Sequence, residues 1–177
     1  MLTTSCLISI QIKGFNNDYK RLTDSQKQNV VFVEEEEKIC NLLQDSTKIY
    51  AVNGKQLREC LKDNDTSVVY MWGPNCSAEH CILISACQDY CNKHNYKLFV
   101  VADYYDMEPM NAQNVAVEPI LIANHFYYDR LYANTLRRLF LEDLLQYQPS
   151  KEETGWCRFM LFKGDQLIEY RSNLYDM

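Results

Sequence analysis

The chain has 177 residues, of which 47% are hydrophobic and 24% charged, and its formal net charge is −6. This length suffices for one domain with a substantial core, or for one domain plus an extension. The negative charge argues against a nucleic-acid partner, because lysine and arginine are scattered and form no cluster larger than a pair such as Arg137–Arg138. No stretch approaches the ~20 apolar residues of a membrane-spanning helix, so no transmembrane segment is predicted.

Residues 1–45 carry no clear motif and are interpreted as an N-terminal extension that either packs on the main domain or trails from it. Residues 23–28 predict a short helix capped by Thr23 or Ser25. The N-terminus lacks the basic start and apolar run of a secretory signal, although the tripeptide that ends at Cys6 resembles the end of a bacterial lipoprotein signal. This segment therefore leaves the compartment open.

Regular alternation of strands and helices begins after the extension. Lys48–Val52 predicts a short strand, and Asn53 is placed to cap a helix over Lys55–Lys62. Ser67–Trp72 is β-branched, aromatic and apolar in character, which is typical of a central strand buried on both faces. A helix is predicted to follow over Cys76–His94.

A further buried strand is predicted over Lys97–Ala102. A helical section is inserted at about residues 106–150, and it contains an apolar piece at Pro119–Ala123 and an amphipathic helix around Asp129–Gln146.

The chain closes with a predicted hairpin, whose strands are Phe159–Phe162 and Gln166–Tyr170. The order is βαβαβ, then the inserted section, then ββ. It predicts an α/β domain over residues 46–177, with a central mixed sheet and helices on both of its faces.

Eight cysteines are many for this length, and four of them crowd into one stretch. The even spacing that is expected of cysteines stapling loops together is absent. We therefore favour redox chemistry, metal binding or reduced core thiols over a disulfide framework. The four crowded cysteines are Cys76, Cys81, Cys87 and Cys91.

Trp72 ends the buried strand Ser67–Trp72, and Cys76 follows it across Gly73-Pro74-Asn75. Near the end of the chain, Phe162-Lys163-Gly164-Asp165 forms the turn of the predicted hairpin. Both features resemble the thioredoxin-like superfamily, in which a buried strand ends in an aromatic residue and the nucleophilic cysteine follows at the N-terminus of a helix. The resemblance implies a thioredoxin-like fold with Cys76 as the nucleophile.

The pairing of an N-terminal extension with a Tyr-rich insertion is similar to redoxin-like proteins of the bacterial envelope. This likeness favours the cell envelope or periplasm over the cytoplasm.

Two departures from the family pattern concern the partner of Cys76. The family's Cys-x-x-Cys pair is missing, because Glu79 stands three residues after Cys76 and the next cysteine is Cys81. The family also places a cis-proline before the penultimate strand, facing the thiol. Counting back from the hairpin puts Cys157 there, and Pro119 is the nearby alternative.

The spacing of Cys76 and Cys81 limits how they can pair. Five residues apart in a regular helix, their Cα atoms would lie about 8.6 Å apart. A disulfide needs Cα atoms within roughly 7 Å. Cys76 must therefore lie before the helix, or the first turn of the helix must unwind. At a helix N-terminus, the pKa of the Cys76 thiol would be lowered.

The remaining thiols of this stretch are interpreted from a helical wheel. Cys87 and Cys91 share an arc with Leu83 and are expected to pack in the core, whereas Cys81 falls on the polar side. A metal site formed by Cys87, Cys91 and His94 is an alternative, but no second cluster supplies further ligands at a recognisable spacing. No cofactor is therefore predicted.

The leading hypothesis is a thiol–disulfide oxidoreductase-like protein. Cys76 would attack a protein or small-molecule disulfide, and Cys81 or else Cys157 would resolve the mixed disulfide. One alternative is a non-catalytic thioredoxin-fold module that binds through its Tyr-rich section, Asp103–Tyr132. Another is a thiol peroxidase, although the Pro-x3-Thr-x2-Cys motif of peroxiredoxins is missing.

Overall fold

A seven-stranded mixed sheet organises the protein. The computed structural model describes residues 13–42, 45–76, 81–113, 118–151, 153 and 158–176. The strands stand in the order β1-β2-β5-β4-β3-β6-β7. Strands β1 to β5 are parallel, β6 is antiparallel to β3, and β7 is antiparallel to β6. The strands are β1 (Val30–Phe32), β2 (Ile49–Val52), β3 (Thr66–Trp72), β4 (Lys97–Ala102), β5 (Ile120–Ala123), β6 (Phe159–Lys163) and β7 (Gln166–Arg171).

Helices cover both faces of the sheet, so the predicted α/β class is confirmed. Helices α2 and α5 share one core with one face of the sheet, and α3 and α4 share a second core with the opposite face. None of the helices in the described part of the chain has the length and apolar character that a membrane crossing requires. The helices are α1 (Asp24–Lys27), α2 (Gly54–Leu61), α3 (Ile84–His94), α4 (Met107–Ala112) and α5 (Ala133–Leu145).

The central strand β3 contributes to both cores. Val69 and Met71 point towards α2 and α5, whereas Val68, Tyr70 and Trp72 point towards α3 and α4. Successive side chains of a strand face opposite sides of its sheet, so a strand covered on both sides has no polar positions to alternate with apolar ones. This double burial explains the continuous apolar run that identified β3 in the sequence.

The two short helices that precede β3 begin at the residues whose side chains cap them. Thr23 and Asn53 each accept a hydrogen bond from the backbone N–H three residues later, and the glutamine at that position bonds back in a capping box. Both predicted caps are confirmed. The first helix is capped by Thr23, and not by the alternative Ser25.

The described part of the N-terminal extension belongs to the same sheet. Strand β1 pairs in parallel with β2 at the edge of the sheet. A 3₁₀ turn at Ile39–Asn41 then brings Cys40 to α2, where it forms a disulfide with Cys60 across a Cα–Cα distance of 5.4 Å. The extension from residue 13 onwards is thus held by backbone pairing and by a covalent bond.

Two predictions of helical structure differ from what the structure shows. The helix predicted over Cys76–His94 begins only at Ile84, and Leu83, expected on its buried arc, is 59% exposed. Within the section predicted as a helical insertion, the apolar piece Pro119–Ala123 supplies β5 (Ile120–Ala123), which lies between β2 and β4. The inserted section is therefore an α/β segment with α4, β5 and α5.

We predict that Gly54→Ala lowers the free energy of unfolding by about 1–3 kcal/mol or more, measured by chemical denaturation. Helices α2 and α5 approach so closely here that a Cβ on Gly54 would lie 2.1 Å from the carbonyl oxygen of Phe140. Glu59→Ala, at an exposed position of the same helix, serves as the control and should change stability by less than about 0.5 kcal/mol. Equal effects of the two substitutions would contradict this close packing.

Candidate functional site

The carboxyl ends of the parallel strands meet at one edge of the sheet. The loops after β3, β4 and β5 all leave from this edge. The chain then passes from β4 into α4 on one face of the sheet and from β5 into α5 on the other. Neighbouring loops that diverge in this way open a crevice, which is the usual place for ligands on open α/β sheets.

Cys76 and Cys81 form a disulfide in the loop after β3. Their Cα atoms lie 5.8 Å apart, and both side chains are half-buried. Cys76 closes a turn in which its backbone N–H donates to the carbonyl oxygen of Gly73 at 3.0 Å. The predicted position of Cys76 at a helix N-terminus is wrong, because α3 begins at Ile84. Of the two pairing geometries considered from the sequence, the structure has Cys76 before the helix.

Polar contacts fix the chain before Cys76. The backbone N–H of Asn75 donates to the Tyr104 hydroxyl at 3.1 Å, and its amide Nδ2 donates to Asp106 at 2.6 Å. Asp106 also pairs with Lys13 at 2.7 Å. Burial opposes ionisation of Asp106, but its hydrogen bonds from Lys13 and Asn75 hold its pKa below the ordinary value. The loop that presents Cys76 is therefore tied to the loop after β4.

Polar contacts also fix the chain after Cys81. The hydroxyl of Tyr70, on β3, donates to the carbonyl oxygen of Ile82 at 3.0 Å. The backbone N–H of Ile84, the first residue of α3, donates to Gln113 at 3.2 Å. Both ends of the disulfide loop are thus held by groups outside it, which positions the cysteine pair relative to the sheet.

A largely buried cluster of three charged side chains lies beside the disulfide. Arg137 Nη1 contacts Asp103 Oδ1 at 3.0 Å, and Arg158 Nη1 contacts Asp103 Oδ2 at 2.6 Å. Cys76 Cβ, Asp103 Oδ2 and Arg158 Nη1 all lie within 4 Å of the point where a Cβ on Gly73 would stand. This Asp103–Arg137–Arg158 cluster lies next to Cys76.

Sequence reasoning did not identify the members of this cluster. The positions of two members in the sequence could have indicated the cluster. Asp103 directly follows the buried strand β4, and Arg158 directly precedes β6. Both of these strands flank β3. Arg137 lies on the buried stripe of α5 beside Leu136, where a charge needs a partner.

Cys87 and Cys91 are fully buried on α3, which confirms their interpretation as core residues. Burial raises the pKa of each thiol to about 12. His94 lies exposed at the end of the same helix. Among the residues that the structure describes, no three His, Cys, Asp or Glu side chains are grouped to hold a metal ion.

Other residues singled out from the sequence have different outcomes. Trp72 is buried at the end of β3, and Pro119 directly precedes β5. Cys157 and Glu79 lie outside the described residues.

His125 belongs to an aromatic cluster at the same edge of the sheet. It is buried among aromatic rings, with ring-centroid distances of 4.9 Å to Tyr19, 5.4 Å to Phe32 and 4.2 Å to Phe126. Burial, assisted by the charge of Lys20, lowers the pKa of His125 from 6.5 to about 4.

Comparisons of the chain with protein-family models, with curated proteins and with solved structures find no match.

We predict that the reduced protein is alkylated quickly at Cys76 and Cys81 and slowly at Cys87 and Cys91. The first pair lies in a half-buried loop, whereas burial keeps the second pair protonated near neutral pH. Timed alkylation after mild reduction, read by mass spectrometry of peptides, measures the four rates. Equal alkylation rates at all four cysteines would show that burial does not protect the thiols of Cys87 and Cys91 from alkylation.

We predict that His125 makes stability depend on pH between 6.5 and about 4. In this window the unfolded chain binds a proton that the folded protein does not, so the free energy of unfolding decreases as the pH falls. The slope contributed by one such group is at most about 1.4 kcal/mol per pH unit.

Denaturant unfolding at several pH values measures this dependence. His125→Phe removes the titrating group and should flatten the curve, whereas His94→Gln, at an exposed position, should leave its shape unchanged. The same slope in His125→Phe and in the unaltered protein would assign the dependence to other groups.

Proposed function

We propose that this protein carries out thiol–disulfide exchange and that Cys76 and Cys81 are the exchanging pair. The observation that carries the proposal is the half-buried Cys76–Cys81 disulfide in the loop after the central strand β3. Its loop is fixed at both ends by contacts to Tyr104, Asp106 and Tyr70. A fixed loop can accept an incoming thiolate without losing the position of the second cysteine.

The proposed fold family is thioredoxin-like. In its support, β3 leads through the cysteine loop and α3 into the parallel strand β4, and a closing hairpin lies on the other side of β3. Pro119 does not act as the family's cis-proline, because no peptide bond of the described residues is cis. Cys157, the other residue considered for that position, stays a prediction.

The chemistry needs no cofactor. A substrate thiolate attacks the sulfur of Cys76, the Cys76–Cys81 bond breaks, and Cys81 leaves as a thiolate that takes up a proton. In the reverse direction, the Cys76 thiolate attacks a substrate disulfide, and one substrate sulfur leaves as a thiolate. The Cys81 thiolate then attacks the sulfur of Cys76 in the mixed disulfide, and the second substrate sulfur leaves as a thiolate. Cys157 as an alternative resolving thiol also stays a prediction.

The experiment follows exchange between the purified protein and a peptide that contains two cysteines. The unaltered protein should exchange its Cys76–Cys81 disulfide with the peptide. Cys81→Ser, given the disulfide form of the same peptide, should stop after one step and accumulate a mixed disulfide at Cys76, which mass spectrometry locates. Cys87→Ser, at a buried thiol, is the matched control and should exchange normally. Absence of exchange in the unaltered protein would refute the proposal.

A second candidate is a binding module without catalysis. Three exposed aromatic side chains favour it, since Phe15 and Tyr132 pack edge to face at 5.3 Å and Phe126 is 65% exposed near the same sheet edge. If the protein shows no exchange with the peptide and all its cysteines are alkylated slowly, the binding module is the preferred candidate. Faster reaction of Cys76 with peroxide than with a disulfide would instead favour the thiol peroxidase.

A further inference from the structure

A segment of the N-terminal extension lies in the crevice at the carboxyl edge of the sheet. This segment, residues 13–17 (the strap), passes between the loop after β4 and the start of α5. The carbonyl oxygen of Asn17 accepts from the backbone N–H of Tyr105 at 2.8 Å, and its N–H donates to the carbonyl oxygen of Leu131 at 2.7 Å. The strap is therefore bonded to both of the loops whose divergence opens the crevice.

The strap is bound through its main chain in the manner of an added strand. Asn16 forms an antiparallel bridge with Tyr132, and the backbone N–H of Ala133 donates to the carbonyl oxygen of Phe15 at 3.2 Å. Main-chain hydrogen bonds of this kind hold extended segments of many sequences, and side chains add the preference. The ring of Phe15 packs edge to face on Tyr132 and is 60% exposed. The crevice thus holds an extended segment with an aromatic side chain.

The first residues of the strap contact the groups that fix the disulfide loop. Gly14 lies so close to Tyr104 that an added Cβ would stand 2.7 Å from the ring. The Tyr104 hydroxyl accepts from the backbone of Asn75, the residue directly before the first cysteine of the disulfide. Lys13 pairs with Asp106, the carboxylate that accepts from the Asn75 side chain. A chain that lies in the crevice therefore leads towards the cysteine pair.

We infer that the crevice binds an extended segment of a polypeptide substrate, and that the strap occupies the same place as a competing segment of the protein itself. This inference rests on the proposed function, because the bound segment would bring a substrate cysteine to the Cys76–Cys81 pair. The preferred substrate is then an extended polypeptide, and not a small disulfide. The apparent affinity for it is the intrinsic affinity multiplied by the fraction of molecules whose strap has left the crevice.

The test compares the rates at which the reduced protein exchanges with two disulfides. One is the disulfide form of a peptide with two cysteines and an extended tail that contains a phenylalanine, and the other is glutathione disulfide. Gly14→Ala places a Cβ against Tyr104 at a residue whose φ is +79°, and Phe15→Ser removes the packing on Tyr132. Each should raise the rate with subsaturating peptide about fivefold, because more molecules then have an open crevice. The rate with glutathione disulfide, which does not need the crevice, should stay unchanged.

Two further variants serve as controls. Gly164→Ala is matched to Gly14→Ala, since Gly164 also has a positive φ, of +55°, but no atom lies within 4 Å of the added Cβ. It should change neither rate. Tyr132→Ala removes the aromatic contact from the strap and from the peptide alike, so the peptide rate should rise much less than in Phe15→Ser.

The outcomes separate this inference from the proposed function. Equal gains with both disulfides would show that the strap only restrains the cysteine loop, and unchanged peptide rates in Gly14→Ala and Phe15→Ser would show that it does not compete. A gain in Tyr132→Ala as large as that in Phe15→Ser would show that the two segments do not share a groove. Each of these results would overturn the inference and leave the proposed function standing. No exchange with either disulfide would refute the proposed function itself.

Discussion

Asp103 is a largely buried carboxylate, with 14% of its side chain exposed, that joins three separate parts of the chain. It accepts from Arg137, 34 positions later on α5, and from Arg158, 55 positions later at the start of the closing hairpin. Breaking a buried ion pair by removing one partner commonly costs about 3–5 kcal/mol, because the other charge is left without compensation. The carboxyl end of β4, helix α5 and the strand beside β3 are therefore held in one relative position. The disulfide loop lies beside this junction and is tied through Asn75 to the loop after β4.

The disulfide loop shows a competition between local helix preference and a covalent bond. Continuous helical spacing from Cys76 onwards would separate the two cysteines by about 8.6 Å, whereas their Cα atoms lie 5.8 Å apart. The helix that begins at Ile84 leaves Leu83 exposed, although helical periodicity placed it in the core. The helical periodicity of the apolar residues correctly predicts the helix from Ile84 onwards. It does not hold between Cys76 and Cys81, whose Cα atoms lie closer together than a regular helix allows.

Most of the sheet could be predicted from the sequence because double burial leaves a simple pattern. Strands β3 and β4 appear as continuous apolar runs, and β6 and β7 flank a recognisable turn. Strand β5 has only four residues, and its pairing with β2 and β4 is a long-range property that no local pattern encodes. The charged cluster was missed for the same reason, because Asp103, Arg137 and Arg158 become neighbours only through the order of the strands.

The insertion of β5 between β2 and β4 has a consequence for how the chain folds. Strand β2 touches no other strand of the sheet except β1 and β5, and β5 lies about 70 positions further along the chain. The pair β1–β2 can therefore join the sheet only after β5 has been made and has docked beside β4. Closing so long a loop is entropically costly, and contacts of this kind slow folding. During synthesis, the first fifty residues would wait with an unpaired strand edge until residues near Ala123 leave the ribosome.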